Sequence, residues 1–156
     1  MRITRERIDL APLIEETLRF TTIPAEQKNI RVVQEISSGL TMFADRRAMK
    51  QVLLNLLSNA VKFTNEGGRI SLRARKVRGA VTLTIADSGI GIPRHALQKI
   101  GHPFEQVQSQ YAKSKGGSGL GLAISRSLTR LHGGRMKIHS AEKVGTIISV
   151  RIPDLT

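Results

Sequence analysis

Between Arg69 and Arg75 apolar and polar residues alternate without exception. Ile70, Leu72 and Ala74 fall on one side; Ser71, Arg73 and Arg75 fall on the other. Val81, Leu83 and Ile85 repeat the pattern over Val81–Ala86, and the link Val77-Arg78-Gly79-Ala80 is short enough for a hairpin. Two more alternating segments, near Arg135–Ser140 and Thr146–Ile152, close the chain. A side-chain period of two puts successive residues on opposite faces of a strand. Strands of this kind bury one face only, which predicts a mainly antiparallel sheet with helices along one side. A doubly wound parallel sheet would read as continuous apolar runs, and these segments do not.

The helices are legible at a period of 3.6. Leu10, Leu13, Ile14 and Leu18 predict a helix from Asp9 to about Gln27, with Pro24 bearing on where it ends. Ile30, Val32, Gln34 and Ile36 predict a short strand. Asp45 is placed to cap a second helix, Arg46–Thr64, and Asn65-Glu66-Gly67-Gly68 then turns the chain. Pro93 opens a short helix at an allowed first-turn position. The stretch from His102 to Gly117 is polar and aperiodic, as functional or disordered loops are. A third long helix, Leu120–His132, ends at Gly133-Gly134. The expected fold is α+β: a two-layer α/β sandwich whose mixed, mainly antiparallel sheet is covered on one face by three helices.

Composition narrows the function. The 156 residues suit a single domain. Four Phe, one Tyr and no Trp require an aliphatic core, and the absence of Cys excludes disulfides and Cys-based zinc sites. The formal net charge of +13 attracts anions, whether nucleotides, nucleic acid, acidic lipid or acidic protein. No apolar run approaches the roughly 18 residues of a membrane helix, and Met1–Leu10 lacks the apolar core of a signal peptide. The expectation is a soluble cytoplasmic domain, compatible with a membrane anchor elsewhere in a longer protein.

Three segments carry chemistry. Asn55, Asn59 and Lys62 are spaced i, i+4, i+7 and share one helix face, opposite Met49, Leu53, Leu56, Leu57 and Ala60. Two amides in line with an ammonium suit a phosphate-bound Mg²⁺, although an amphipathic helix with a solvated polar face reads the same way. Asp87-Ser88-Gly89-Ile90-Gly91-Ile92-Pro93 follows an apolar strand. Its glycines permit close backbone approach, and Asp87 is placed to accept from an exocyclic amine such as adenine's. The plain alternative is an Asx-type turn. Gly116-Gly117-Ser118-Gly119-Leu120-Gly121-Leu122 leads into a helix and offers N–H groups to an anion. It is neither a P-loop nor a dinucleotide fingerprint. The alternative here is a linker, against which Leu120 and Leu122 argue.

In order along one chain, QVLLNLLSNAVKFT, DSGIGIP, PFEQ and GGSGLGLAIS resemble the N, G1, F and G2 boxes of the catalytic ATP-binding domain of sensor histidine kinases. That domain belongs to the wider superfamily of gyrase, Hsp90 and MutL-type ATPases. The resemblance runs from about Arg7 to Pro153, and its wording is most similar to PleC/DivJ-type cell-cycle kinases of alphaproteobacteria. It implies that Asn59 coordinates Mg²⁺ with Asn55 beside it, and that Lys62 reaches the phosphates. It implies that Asp87 bonds the adenine amine, with Gly89, Gly91 and Ile92 shaping the base pocket. Gly117, Ser118, Gly119, Leu120 and Gly121 would line the phosphates. Residues 102–118 would form the ATP lid, anchored by Phe104. Gly101 and His102 stand where such kinases often carry Phe-Glu, a departure that bears on lid packing and not on the nucleotide site.

The ATPases of the superfamily usually carry a glutamate where this chain has Asn55. An amide is no general base at neutral pH, so the resemblance implies phosphoryl transfer in place of hydrolysis. The phosphoacceptor histidine is not among the four here, which read HALQKI, HPFEQV, HGGRMK and HSAEKV. It is expected on dimerisation helices before residue 1, so the isolated chain, expected to be a monomer, should bind ATP without phosphorylating itself. The expected partners are that dimerisation domain, in a homodimeric full-length kinase, and a response regulator. Two alternatives stand beside this reading. One is a hydrolytic or kinase-inactive ATP-binding module of the same superfamily. The other is a basic nucleic-acid-binding domain, which the scarcity of aromatics for base stacking disfavours. On this view Arg69, Arg73, Arg75 and Arg78 form a solvated hairpin face, and nucleic acid is not a partner.

Overall fold

The computed structural model describes residues 2–89 and 120–154. Strand β1 (Glu6–Asp9) leads into helix α1 (Leu10–Gln27), followed by β2 (Arg31–Ile36), β3 (Thr41–Ala44) and helix α2 (Arg46–Phe63). Strands β4 (Arg69–Val77) and β5 (Ala80–Asp87) come next, then helix α3 (Leu120–Leu131), β6 (Arg135–Ala141) and β7 (Gly145–Pro153). The five-stranded sheet has the order β2-β4-β5-β7-β6, with β2 parallel to β4 and every other pair antiparallel. The three helices lie on one face of this sheet, as the one-sided alternation predicts. The predicted short helix at Pro93 and the lid lie outside the described residues.

The register explains the alternation. Ile70, Leu72 and Ala74 of β4, Val81, Leu83 and Ile85 of β5, and Ile148, Val150 and Ile152 of β7 all point into the core. Against them α2 buries Met49, Val52, Leu53, Leu56 and Leu57 completely. Burying an aliphatic side chain of this size contributes about 2 kcal/mol, so this stripe outweighs any single polar contact in the helix. Asp45 caps α2 as expected, its carboxylate accepting from the Ala48 N–H at 3.0 Å. Arg78 and Gly79 both have positive φ, 51° and 75°, the two-residue turn that matches the strand twist.

Glu16 ties α1 to α2, accepting from Arg46 at 2.6 Å and Lys50 at 2.7 Å. At the other end of α1, which runs through Pro24, the Lys28 ammonium donates to the carbonyls of Val61 (2.7 Å) and Lys62 (3.1 Å). Those carbonyls belong to the last turn of α2, which has no intrahelical donors left for them. A cation there also suits the helix dipole.

Strands β1 and β3 were not expected. They form a separate antiparallel pair in which Arg7 faces Phe43 and Ile8 faces Met42. With four residues each, they are too short to display a period. Asp154 fastens this ribbon to the main sheet. Its side chain is 2% exposed and accepts from Arg7 (3.1 Å), Lys76 (2.7 Å) and the Phe43 N–H (3.1 Å). These partners hold its carboxyl below the usual carboxylate value, the Lys76 hydrogen bond foremost. Asp154→Ala is expected to cost about 2 kcal/mol, the scale of a lost charged hydrogen bond. Urea unfolding at neutral pH would measure it; an unchanged midpoint would show that the ribbon is held by other contacts.

Candidate functional site

Helix α2 carries the site on the face it does not bury. Asn55, Asn59 and Lys62 are all partly exposed there, in line along the helix. Asn55 is fixed from both ends. Its Nδ2 donates to the Gly121 carbonyl (3.1 Å) and to Ser125 Oγ (3.2 Å), both on α3. Its Oδ1 accepts from Gln51 Nε2 at 3.0 Å, one turn back on α2. A Cβ on Gly121 would lie 3.8 Å from Asn55 Cγ, so the start of α3 packs directly on this amide. Asn55 is therefore a cross-link between the two helices, while Asn59 keeps its place in the stripe.

The far end of α2 meets the turn after β5. Asp87 ends that strand on the helix-facing side, its carboxylate accepting from the N–H groups of Gly89 (2.8 Å) and Thr146. Burial raises its carboxyl above the ordinary value, and the two N–H groups only partly offset this. Gly89 is required by space: a Cβ there would run into the Phe63 carbonyl at the end of α2. The Asx-type turn read from sequence is thus present, and it is wedged under the same helix that carries the asparagines. The Lys62 ammonium sits 5.8 Å from the Phe63 ring centre.

Alongside the stripe runs a groove of about 460 Å³, lined by Phe20, Thr21 and Pro24 of α1 and by Leu54, Asn55, Ser58, Val61 and Lys62 of α2. A larger cleft, about 760 Å³, lies at the opposite end of α2 near Thr4, Asp45 and Ile124. It contains none of the predicted site residues, so volume alone would misplace the site. Gly91, Ile92, Phe104, Gly117, Ser118 and Gly119 lie outside the described residues, and Leu120 opens α3.

Two side chains that frame the site, Thr64 and Ser88, and one that clamps the opposite end of α2, His132, escaped the sequence reading. Thr64, fully buried, donates to the Ala60 carbonyl and presses its methyl against Gly68. Ser88 Oγ accepts from the Arg69 N–H at 2.9 Å. His132 is 1% exposed; its Nε2 accepts from the Asp45 N–H (3.0 Å), which leaves Nδ1 to donate to the Leu128 carbonyl (2.7 Å). It joins the end of α3 to the start of α2, a second clamp beside Asn55. Thr64 and Ser88 lie within matched boxes, which was the available signal. For His132 nothing local marks a partner 87 residues away.

The donor set is short of anionic ligands. Among the described residues no three His, Cys, Asp or Glu gather to hold a metal. With the Asn55 oxygen engaged by Gln51, the Asn59 amide oxygen beside an ammonium fits a hard cation that arrives on phosphates and keeps most of its water.

Residues 44–156 match the family described as histidine kinase-, DNA gyrase B- and HSP90-like ATPases. The chain belongs to this family. Within it, the chain is similar to the catalytic domain of the histidine kinase ThkA, with 30% identity, a TM-score of 0.85 and 97% of each chain covered. The full-length kinase ShkA in complex with AMPPNP aligns at 31% identity and a TM-score of 0.86 over 100% of this chain and 32% of that one. ThkA has also been solved in complex with the response regulator TrrA; that kinase aligns at 28% identity and a TM-score of 0.79, over 97% of this chain and 42% of that one.

Among curated relatives, a sensor-like histidine kinase of Rhizobium meliloti is 42% identical over 130 residues, which are 83% of this chain and 25% of the relative. The non-motile and phage-resistance protein of Caulobacter vibrioides is 38% identical, over 98% of this chain and 19% of the relative. The histidine protein kinase DivJ of the same organism is 36% identical, over 98% of this chain and 26% of the relative. This histidine-kinase catalytic domain therefore spans about a quarter or less of these three relatives. The DivJ-like wording of its boxes agrees with these matches.

Asp87 generates a test with two readouts. A carboxyl whose folded value exceeds the unfolded 3.8 weakens folding at neutral pH, and that cost fades as the pH falls through the folded value and below 3.8. Asp87→Asn keeps an acceptor for the two N–H groups and removes the buried charge. It is expected to leave neutral-pH stability unchanged or raised, while selectivity for ATP over GTP is lost. A destabilised variant would show that the buried charge is compensated after all, and one that still discriminates between the bases would count against a base-recognition role for Asp87.

Proposed function

We propose that this domain binds Mg-ATP along the α2 stripe and donates the γ-phosphate to a histidine on a separate dimerisation domain of a two-component sensor kinase. The supporting observation is Asn55. Its amide is held by α3 on one side and by Gln51 on the other, at the position where superfamily ATPases usually carry a glutamate. An amide so held has no proton-accepting capacity to activate water, so the pocket favours transfer over hydrolysis.

Each residue then has a definite task. Asp87 accepts from the adenine amine while its own geometry is set by Gly89 and Thr146. Asn59 would offer its amide oxygen to the cation. Bound Mg²⁺ would neutralise charge on the phosphates. Lys62 supplies a positive charge at the same end of α2, and Asn55 keeps α3 seated so that its N-terminus faces the phosphates. Phosphoryl transfer relies chiefly on such positioning and charge neutralisation. Gly91, Ile92, Gly117, Ser118, Gly119 and Leu120 are proposed to complete the pocket, with residues 102–118 as a lid anchored by Phe104. A response regulator is the proposed downstream acceptor, supported by the ThkA–TrrA complex.

Asn59→Asp is expected to weaken Mg-nucleotide binding at least about tenfold, or about 1.4 kcal/mol. Calorimetry showing equal affinity would remove Asn59 from the metal role. Mixing the chain with ATP and a separate helix-hairpin domain is expected to put acid-labile phosphate on the hairpin, while the chain alone releases phosphate slowly. Brisk steady hydrolysis by the chain alone would sink the transfer reading.

A further inference from the structure

Among the described residues nothing covers the sheet face opposite the helices, and that face is basic. The register places Arg75, Thr82, Arg151 and Arg135 side by side across β4, β5, β7 and β6. The neighbouring row on the same face runs Arg73, Thr84, Ser149, Lys137. Two like-charged pairs stand directly opposite one another, Arg135 with Arg151 and Arg31 with Arg69. All four of those side chains are exposed. Like charges facing each other across strands are destabilising. Among the described residues the face offers one compensating acid: Glu35, which pairs with Arg73 at 2.8 Å.

We infer that this face is a docking surface for an anionic lipid bilayer. The centre of the face is small and hydroxylated: Thr82, Thr84 and Ser149 lie between the flanking cations. A stable protein partner would want a central apolar or aromatic anchor; the centre here offers hydroxyls, and the exposed apolar residues of the face, Val77 and Ile147, stand at its two ends. Single-stranded nucleic acid would want aromatic platforms, and no aromatic residue stands in either row. A headgroup layer asks for neither. It needs distributed cations within a Debye length of the surface, each contributing roughly a fivefold gain in partitioning. The inference rests on the open sheet face alone and stands apart from the nucleotide reading.

Sedimentation with vesicles tests it. The 156-residue chain is mixed with vesicles of phosphatidylcholine alone, or of phosphatidylcholine with about a third phosphatidylserine, at low and high salt. Binding is expected only to the anionic vesicles and is expected to fall steeply as salt rises. The triple variant Arg75→Gln, Arg135→Gln, Arg151→Gln is expected to lose roughly a hundredfold in partitioning. A second triple variant on the helical side, Arg19→Gln, Arg47→Gln, Arg130→Gln, carries the same change in net charge and is expected to bind nearly as the parent does. Circular dichroism of both variants should match the parent, since every altered side chain is exposed. Equal losses from the two triples would overturn the proposal, because net charge and not this face would be responsible. Equal sedimentation with neutral vesicles would overturn it too. So would tighter binding to duplex DNA than to anionic vesicles at matched salt, lost in the sheet-face triple alone.

Discussion

Helix α2 is buried along one stripe and working along the other, and the two roles constrain each other. Met49, Leu53, Leu56 and Leu57 set the rotation of the helix on the sheet, because turning it would expose side chains that each contribute about 2 kcal/mol when buried. That rotation is what aims Asn55, Asn59 and Lys62 outward. Everything else that touches the site is keyed to this helix. Helix α1 is tied to it through Glu16 and Lys28, α3 through Asn55 and His132, and the β5 turn through the Gly89–Phe63 packing. No hydrogen bond in that set approaches the apolar stripe in strength. Together they fix three neighbours relative to one rigid element, which is what a site that positions reacting groups requires of its scaffold.

The site illustrates two uses of a buried polar group. Asp87 is kept where burial opposes its charge, at the position proposed to meet the base. Asp154 is enclosed too, its side chain 2% exposed, yet two cations and an N–H compensate it and lower its carboxyl. The compensated carboxylate is structural: it pins the β1–β3 ribbon. The under-compensated one is available to something that brings its own donor.

Local signals were the legible part of this chain. The alternation in β4, β5 and β7, the Asp45 cap and the stripe of α2 depend on neighbours within a turn or a strand, and each stands where the residues predict. The ribbon of β1 and β3 escaped because its stability is remote: Asp154 lies 111 residues from its bond to Phe43. The candidate site divides the same way. The boxes named Asn55, Asp87, Gly89 and Gly121 from their wording, and the structure brings those four around α2. That Asn55 is spent on holding α3 could not be read from spacing, since its partners are 66 and 70 residues away. The residues from 90 to 119 remain readings of sequence only.

The packing of Gly89 on the Phe63 carbonyl has a consequence for anyone wishing to re-engineer this turn. The turn after β5 and helix α2 share a van der Waals boundary with no slack, since even one methyl group at position 89 collides with the backbone. The two are thus gauged against a single ruler. On the proposed reading the turn serves the base and the helix the phosphates, so enlarging the first would shift the asparagine row and detune the second. A broadened nucleotide repertoire would then have to be carved from walls that do not bear on α2.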